Sequence, residues 1–161
     1  MPTTPLDPHS PPAGRLAGID YGTVRIGVAI SNASQTLASP YEIYTRRAHD
    51  LDAGYFRRLV AQESITRFVV GLPVHNDGRE SQKSIEAQEF GRWLTAETGV
   101  PVDYFDERFT TAAAEQLLQA QGLTKKRRKE RLDKLAAQIL LAAYLESADR
   151  GRTPPGSLDD R

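Results

Sequence analysis

The chain has 161 residues, no cysteine, and balanced charge, with 21 Lys and Arg against 21 Asp and Glu. That length fits one domain of the usual ~100–200 residues and supports a hydrophobic core without covalent staples. The composition excludes a disulfide frame, a zinc–cysteine centre and a thiol nucleophile, and no apolar run reaches the ~18 residues of a membrane span.

The opening MPTTPLDPHSPPAG lacks the basic start and apolar core of a signal peptide, so residues 1–14 read as a proline-rich disordered tail. Leu16 to Asp20 is a short apolar run bounded by glycine, which predicts a buried strand. Val24 to Ser31 predicts a second strand, close enough to the first for a hairpin through Tyr21, Gly22 and Thr23. A third is expected around Tyr41 to Tyr44. Leu51, Tyr55, Leu59 and Val60 keep helical spacing over Asp50 to Ala61. RFVVGLP is a fourth strand ending at Gly71 and Pro73. SQKSIEAQEFGRWLTAETG is a helix with Ile85, Phe90, Trp93 and Leu94 on its inner face and Gly99 as its stop. VPVDYF is a fifth strand, running into Asp106 and Glu107. Thr110 or Thr111 caps a helix through AAAEQLLQAQ that ends at Gly122. The last helix begins in KKRRKERLDK and continues as LDKLAAQILLAAYLES. Residues 147–161 read as a second tail, which leaves a soluble, cytoplasmic domain over 15–146.

This order predicts an α/β fold. Three strands form an antiparallel meander, and two later strands, each reached over a helix, join it in parallel by right-handed crossovers. The result is a mixed five-stranded sheet flanked by helices. Sites in open α/β sheets collect at the carboxyl ends of the parallel strands. Asp20, the Gly71–Pro73 segment and Glu107 therefore share one edge. A third acid, Asp133, borders the apolar stripe Leu132, Leu135, Ala136, Ile139 and Ala143 of the last helix. Lys126 and Lys129 lie on its side of that helix, and the small Ala136 and Ala137 let another backbone come close.

Each acid has an ordinary alternative role: turn former for Asp20, salt-bridged strand end for Glu107, dipole partner of its helix for Asp133. Converging, they would repel one another unless cations neutralise them. Hard Mg²⁺ or Mn²⁺ prefer such oxygen ligands, and two of them activate water and stabilise the leaving oxygen of a phosphodiester. The segment Lys125, Lys126, Arg127, Arg128, Lys129 to Lys134 holds seven basic and two acidic residues, against fourteen and nineteen elsewhere. It is a solvated helix face or a contact for a nucleic-acid backbone. Nucleic-acid hydrolysis uses all of these features. Arg25 touches phosphate or braces the hairpin. Arg108 orients Glu107, contacts the scissile region, or forms a structural salt bridge. Asp106 faces away from Glu107 by strand alternation. His75 is expected as an exposed loop residue, His9 and His49 offer no metal spacing, and Phe90 and Trp93 fit a core better than a base-stacking platform.

GIDYGTVRIGVAIS, VVGLPVHNDG, VDYFDERFTT and DKLAAQILLAAYL resemble, in order and spacing, the motifs of the YqgF or RuvX family. The resemblance runs from Leu16 to about Leu145. It implies an RNase H-like fold and a nuclease, either resolving Holliday junctions or processing the 5′ end of pre-16S rRNA. It also implies an acidic site at Asp20, Glu107 and Asp133. Val24 replaces the family's usual lysine, losing a phosphate contact at the hairpin. Asn32 replaces a common aspartate, and GLPVHNDG replaces the more usual GLPLNMDG. None of these removes a proposed ligand. Junction resolution favours a homodimer, because two symmetry-related strands are cut; RNA processing has no such need. Two other readings compete. DYGT before a hairpin also resembles the phosphate loop of actin-like ATPases and sugar kinases, though about 130 residues leave no room for their second half. An RNase H-like fold also serves as an inactive nucleic-acid-binding module.

Overall fold

A computed structural model describes residues 14–73, 81–110, 114–115, 119, 122 and 124–149. Three strands form the meander: β1 (Arg15–Asp20), β2 (Arg25–Ser31) and β3 (Ala38–Thr45). β1 and β2 pair antiparallel with Asp20 opposite Gly27. β4 (Ile65–Leu72) lies parallel to β1, and β5 (Val102–Asp106) parallel to β4. The five-stranded order is β3-β2-β1-β4-β5, as the sequence predicts. α1 (His49–Glu63) and α2 (Gln82–Thr98) provide the crossovers. A 3₁₀ turn (Glu107–Thr110) follows β5, and α3 (Lys125–Asp149) closes the fold. The helix expected over 112–121 lies mostly outside the described residues; Ala114, Glu115 and Gln119 within it are helical.

Both faces of the sheet are covered, which is why its inner strands read as nearly continuous apolar runs. Ala17 and Ile19 of β1 pack with Phe56, Phe68, Phe90 and Leu94 under α1 and α2. Leu16 packs on the other face with Val69, Leu140 and Leu141 under α3. Alternation puts Gly18 and Asp20 on this second face. α3 rests directly on the strand there. A Cβ on Gly18 would stand 2.9 Å from the Leu141 Cβ and 3.0 Å from the Ala137 carbonyl oxygen, so only glycine admits the helix.

α2 keeps its expected ends. The Ser81 hydroxyl accepts from the Ser84 N–H at 3.0 Å, and Gly99 takes the left-handed conformation at φ 75°. Three expectations need correction. Leu51 is 51% exposed and Ile85 38% exposed, so neither lines an inner face. Asp52 is 0% exposed instead: its carboxylate accepts from Tyr44 Oη at 2.6 Å and the Arg47 N–H at 2.8 Å, and faces Arg46 Nε at 3.4 Å. β3 starts at Ala38, three residues before the expected strand, because Pro40 breaks a strand pattern without breaking an edge strand. A register shift between Val28 and Ala29 accompanies it.

Candidate active site

Glycine clears the space around each acid carried by the sheet. Asp20 ends β1 beside Gly27 of β2, where a Cβ would stand 3.4 Å from the Asp20 Cβ and 3.5 Å from the Ala137 Cβ. The missing side chain leaves a gap between Asp20 and α3. Asp133, exposed, lies one turn before Ala137 on that helix. Glu107 opens the 3₁₀ turn and folds back over β4. A Cβ on Gly71 would be 2.5 Å from Glu107 Oε1 and 3.2 Å from its Cδ. Gly71, expected as the end of the fourth strand, lies under this carboxylate.

Asp20 is the middle member of the set. One cleft of about 320 Å³ has Asp20, Gly71, Lys83 and Glu107 in its walls. A second cavity joins Asp20 to Asp133, Arg25 and Ile43. Burial, then the charge of Asp133, pushes the Asp20 carboxyl up. Burial, then the charges of Asp20 and Asp106, pushes Glu107 up to about 7, with Lys83 opposing. Lys83 is the second residue of α2. Its approach to Glu107 depends on where α2 starts relative to β5, which the sequence pattern does not reveal.

The donor set suits a hard divalent cation. All three groups are carboxylates, and two of them, Asp20 and Glu107, have a raised proton affinity, caused first by burial and then by neighbouring negative charge. Among the described residues, no three acidic or histidine side chains stand close enough to form a finished metal site. The expected convergence at one point is not seen; Asp20 instead shares one cavity with Glu107 and another with Asp133.

The basic candidates divide. Arg25, exposed, lines the Asp20–Asp133 cavity. Arg108 forms an ion pair with Asp106, through Nε at 2.9 Å and Nη2 at 2.6 Å, which is its structural alternative. Burial raises the Asp106 carboxyl, but the Arg108 hydrogen bonds outweigh it and hold the group below its ordinary value. Lys126 and Arg127 are exposed at the start of α3, while the side chains of Lys125, Arg128 and Lys129 lie outside the described residues. The first turn of α3 has no acid. Cations at a helix N-terminus are unfavourable by ~0.3–1 kcal/mol each, so helix stability does not explain them. His75 and His9 also lie outside the described residues.

Two further groups near the site were missed. Tyr21, next to Asp20, lines the Glu107 cleft. Its hydroxyl accepts from Arg46 Nη1 at 3.1 Å, and the same guanidinium stands 5.4 Å from its ring centroid. The available signal was topological: a meander returns the end of β3 to the end of β1.

Residues 14–147 match the family model described as RuvX, Holliday junction resolvase. A Rhodopirellula baltica protein named "Putative pre-16S rRNA nuclease" is 47% identical, covering 99% of this chain and 94% of its own. A protein of the same name from Syntrophomonas wolfei is 37% identical over 86% of this chain and 98% of its own. Among solved structures, Thermus thermophilus RuvC in complex with a Holliday junction substrate covers 88% of this chain and 99% of its own, with TM-score 0.57 and 16% identity. That likeness is one of fold.

Proposed function

The chain belongs to the RuvX family of Holliday junction resolvases, and on that premise we propose that Asp20, Glu107 and Asp133 are the catalytic acids of a nuclease that hydrolyses nucleic-acid phosphodiesters with Mg²⁺ or Mn²⁺. Membership decides against the ATP-binding alternative. The observation that carries the proposal is the central position of Asp20, which shares one cavity with Glu107 and another with Asp133. The nuclease domain spans residues 15–146, with α3 continuing to Asp149. No helix among the described residues is long and apolar enough to cross a membrane, and we place its action in the cytoplasm.

Asp20, Glu107 and Asp133 would hold the cations. When bound, these supply an activated water and stabilisation of the leaving oxygen. The chain's own residues do the rest. Gly71 allows Glu107 to lie flat on β4, and Gly27 opens the space that Asp20 faces. Arg25 and Lys83 flank Asp20 from two sides with positive charge suited to a phosphodiester. The basic start of α3 holds the nucleic-acid backbone by sequence-independent, salt-sensitive contacts.

The test is Asp20→Asn. Asparagine keeps size and hydrogen bonding but lacks the charge that holds a cation. We expect metal-dependent cleavage to disappear while the melting temperature stays near that of the wild type. A folded, fully active variant would refute the assignment. Offering the wild type a four-way DNA junction, duplex DNA and pre-16S rRNA with each metal identifies the substrate, and sedimentation of the same samples identifies a homodimer.

A further inference from the structure

Three cavities are related by shared wall residues, from Glu107 round to edge strand β3. The first joins Glu107 to Asp20. The second joins Asp20 and Asp133 to Arg25 and Ile43. The third, of about 490 Å³, begins at the same Ile43 and lies between edge strand β3 and α1. Neighbouring cavities share a wall residue, Asp20 and then Ile43 of edge strand β3, about which the second and third meet.

The third cavity has a distinct chemistry. Tyr44 and Tyr55 stand with ring centroids 3.9 Å apart. Both hydroxyls are occupied, Tyr44 donating to the buried Asp52 at 2.6 Å and Tyr55 to Glu42 at 2.8 Å. These bonds fix the rings and tie up the acid in the groove. Tyr41 and Ile43, 37% and 45% exposed, add apolar surface. Arg47 and Arg58 line the groove exposed, and neither forms an ion pair with a described residue. Fixed aromatic faces beside uncommitted guanidinium groups suit bases and phosphates together. A duplex keeps its bases stacked inside and has no use for such a platform.

We propose that the β3–α1 groove seats a single-stranded stretch of the substrate flanking the scissile phosphate, an inference that rests on the nuclease assignment. Phosphates lie on Arg47 and Arg58, and a base lies on the tyrosine cluster. The groove prefers substrates with an unpaired flank over blunt duplexes.

The experiment titrates a fluorescein-labelled oligouridylate against the full chain in EDTA, by anisotropy over a range of salt. The variants are Arg47→Gln with Arg58→Gln, and Tyr41→Ser, all at exposed positions and checked by thermal melting. The arginine pair should lose about tenfold in affinity, and its salt slope should fall by about 1.4, two contacts at ~0.7 each. Tyr41→Ser should lose at least about fivefold, equivalent to a stacking loss of ~1 kcal/mol. Wild-type affinity and slope in both variants would overturn the proposal. So would an Ile43→Lys variant that turns a dimer into a monomer with unchanged oligouridylate affinity, since the face would then join two copies. Cleavage is scored separately. A wild type that binds through the groove without cleaving any substrate refutes the nuclease assignment, whereas cleavage with unaltered groove binding refutes the groove alone.

Discussion

Asp52→Ala removes one carboxylate and breaks a network that reaches Tyr21, beside Asp20. The native group is fully buried, holds two hydrogen bonds at 2.6 and 2.8 Å, and faces Arg46 Nε at 3.4 Å. Alanine leaves the Tyr44 hydroxyl, the Arg47 N–H and a largely buried guanidinium without their acceptor. Breaking a buried pair from one side costs ~3–5 kcal/mol, because the remaining charge stays desolvated. At ~2–4 °C per kcal/mol, the melting temperature should fall by about 10 °C. Asp52→Asn keeps the shape and one acceptor and should lose about half as much. The assay is urea unfolding of Asp52→Ala, Arg46→Met and the double variant. Because the two side chains touch, we expect a coupling energy of ~1–3 kcal/mol. Cleavage per folded molecule should also fall, because Arg46 is the group that holds Tyr21 beside Asp20. A loss below ~1 kcal/mol, within the range of ordinary substitutions, or strictly additive variants, would refute the reasoning.

Three other outcomes follow from the site. Gly71→Ala places a methyl against Glu107, so turnover should fall at least about tenfold, ~1.4 kcal/mol of barrier, with a smaller loss of folding stability; equal losses in both would show Gly71 to be merely structural. In EDTA at pH 8, Glu107→Gln should stabilise the fold by about 1–3 kcal/mol, read by urea unfolding. The carboxyl is raised from 4.5 to about 7, so its charge disfavours the folded state, and wild-type stability declines as pH rises from 4.5 through 7 at up to ~1.4 kcal/mol per unit. The variant should lose that slope; an unchanged pH profile would contradict the electrostatic account. Reversing the charges of Lys125, Lys126, Arg127, Arg128 and Lys129 should weaken binding to all nucleic acids and flatten the salt dependence, by ~0.9 per lost contact on duplex DNA, whereas unchanged binding would make the cluster a solvated face.

Sheet order, both crossovers and the positions of Asp20 and Glu107 were legible because each depends on local pattern. Strand alternation, the Ser81 and Gly99 helix ends, and the placement of acids at strand ends require no knowledge of distant contacts. The misses depend on such contacts. Tyr21 and Arg46 are 25 residues apart and meet only once β3 folds back. Asp52 reads as a surface acid until Tyr44 and Arg46 surround it. Leu51 and Ile85 fit a helical apolar stripe by spacing, yet each helix is rotated toward Phe56 or Phe90 instead. Gly71 reads only as a strand end, because its neighbour Glu107 arrives from beyond β5. Asp133 was readable at a helix margin, but its distance from the other acids depends on the Gly18 contact.

That contact makes α3 a ruler. The helix is pinned to β1 where Gly18 meets Ala137 and Leu141, and Asp133 and Arg127 lie on the same continuous rod. Six residues separate them, a rise of ~9 Å at 1.5 Å per residue. The basic segment proposed to hold the backbone therefore cannot slide relative to Asp133, the acid proposed for the cutting edge. On that assignment, the place where a strand is gripped would fix, at a set offset, the place where it is cut.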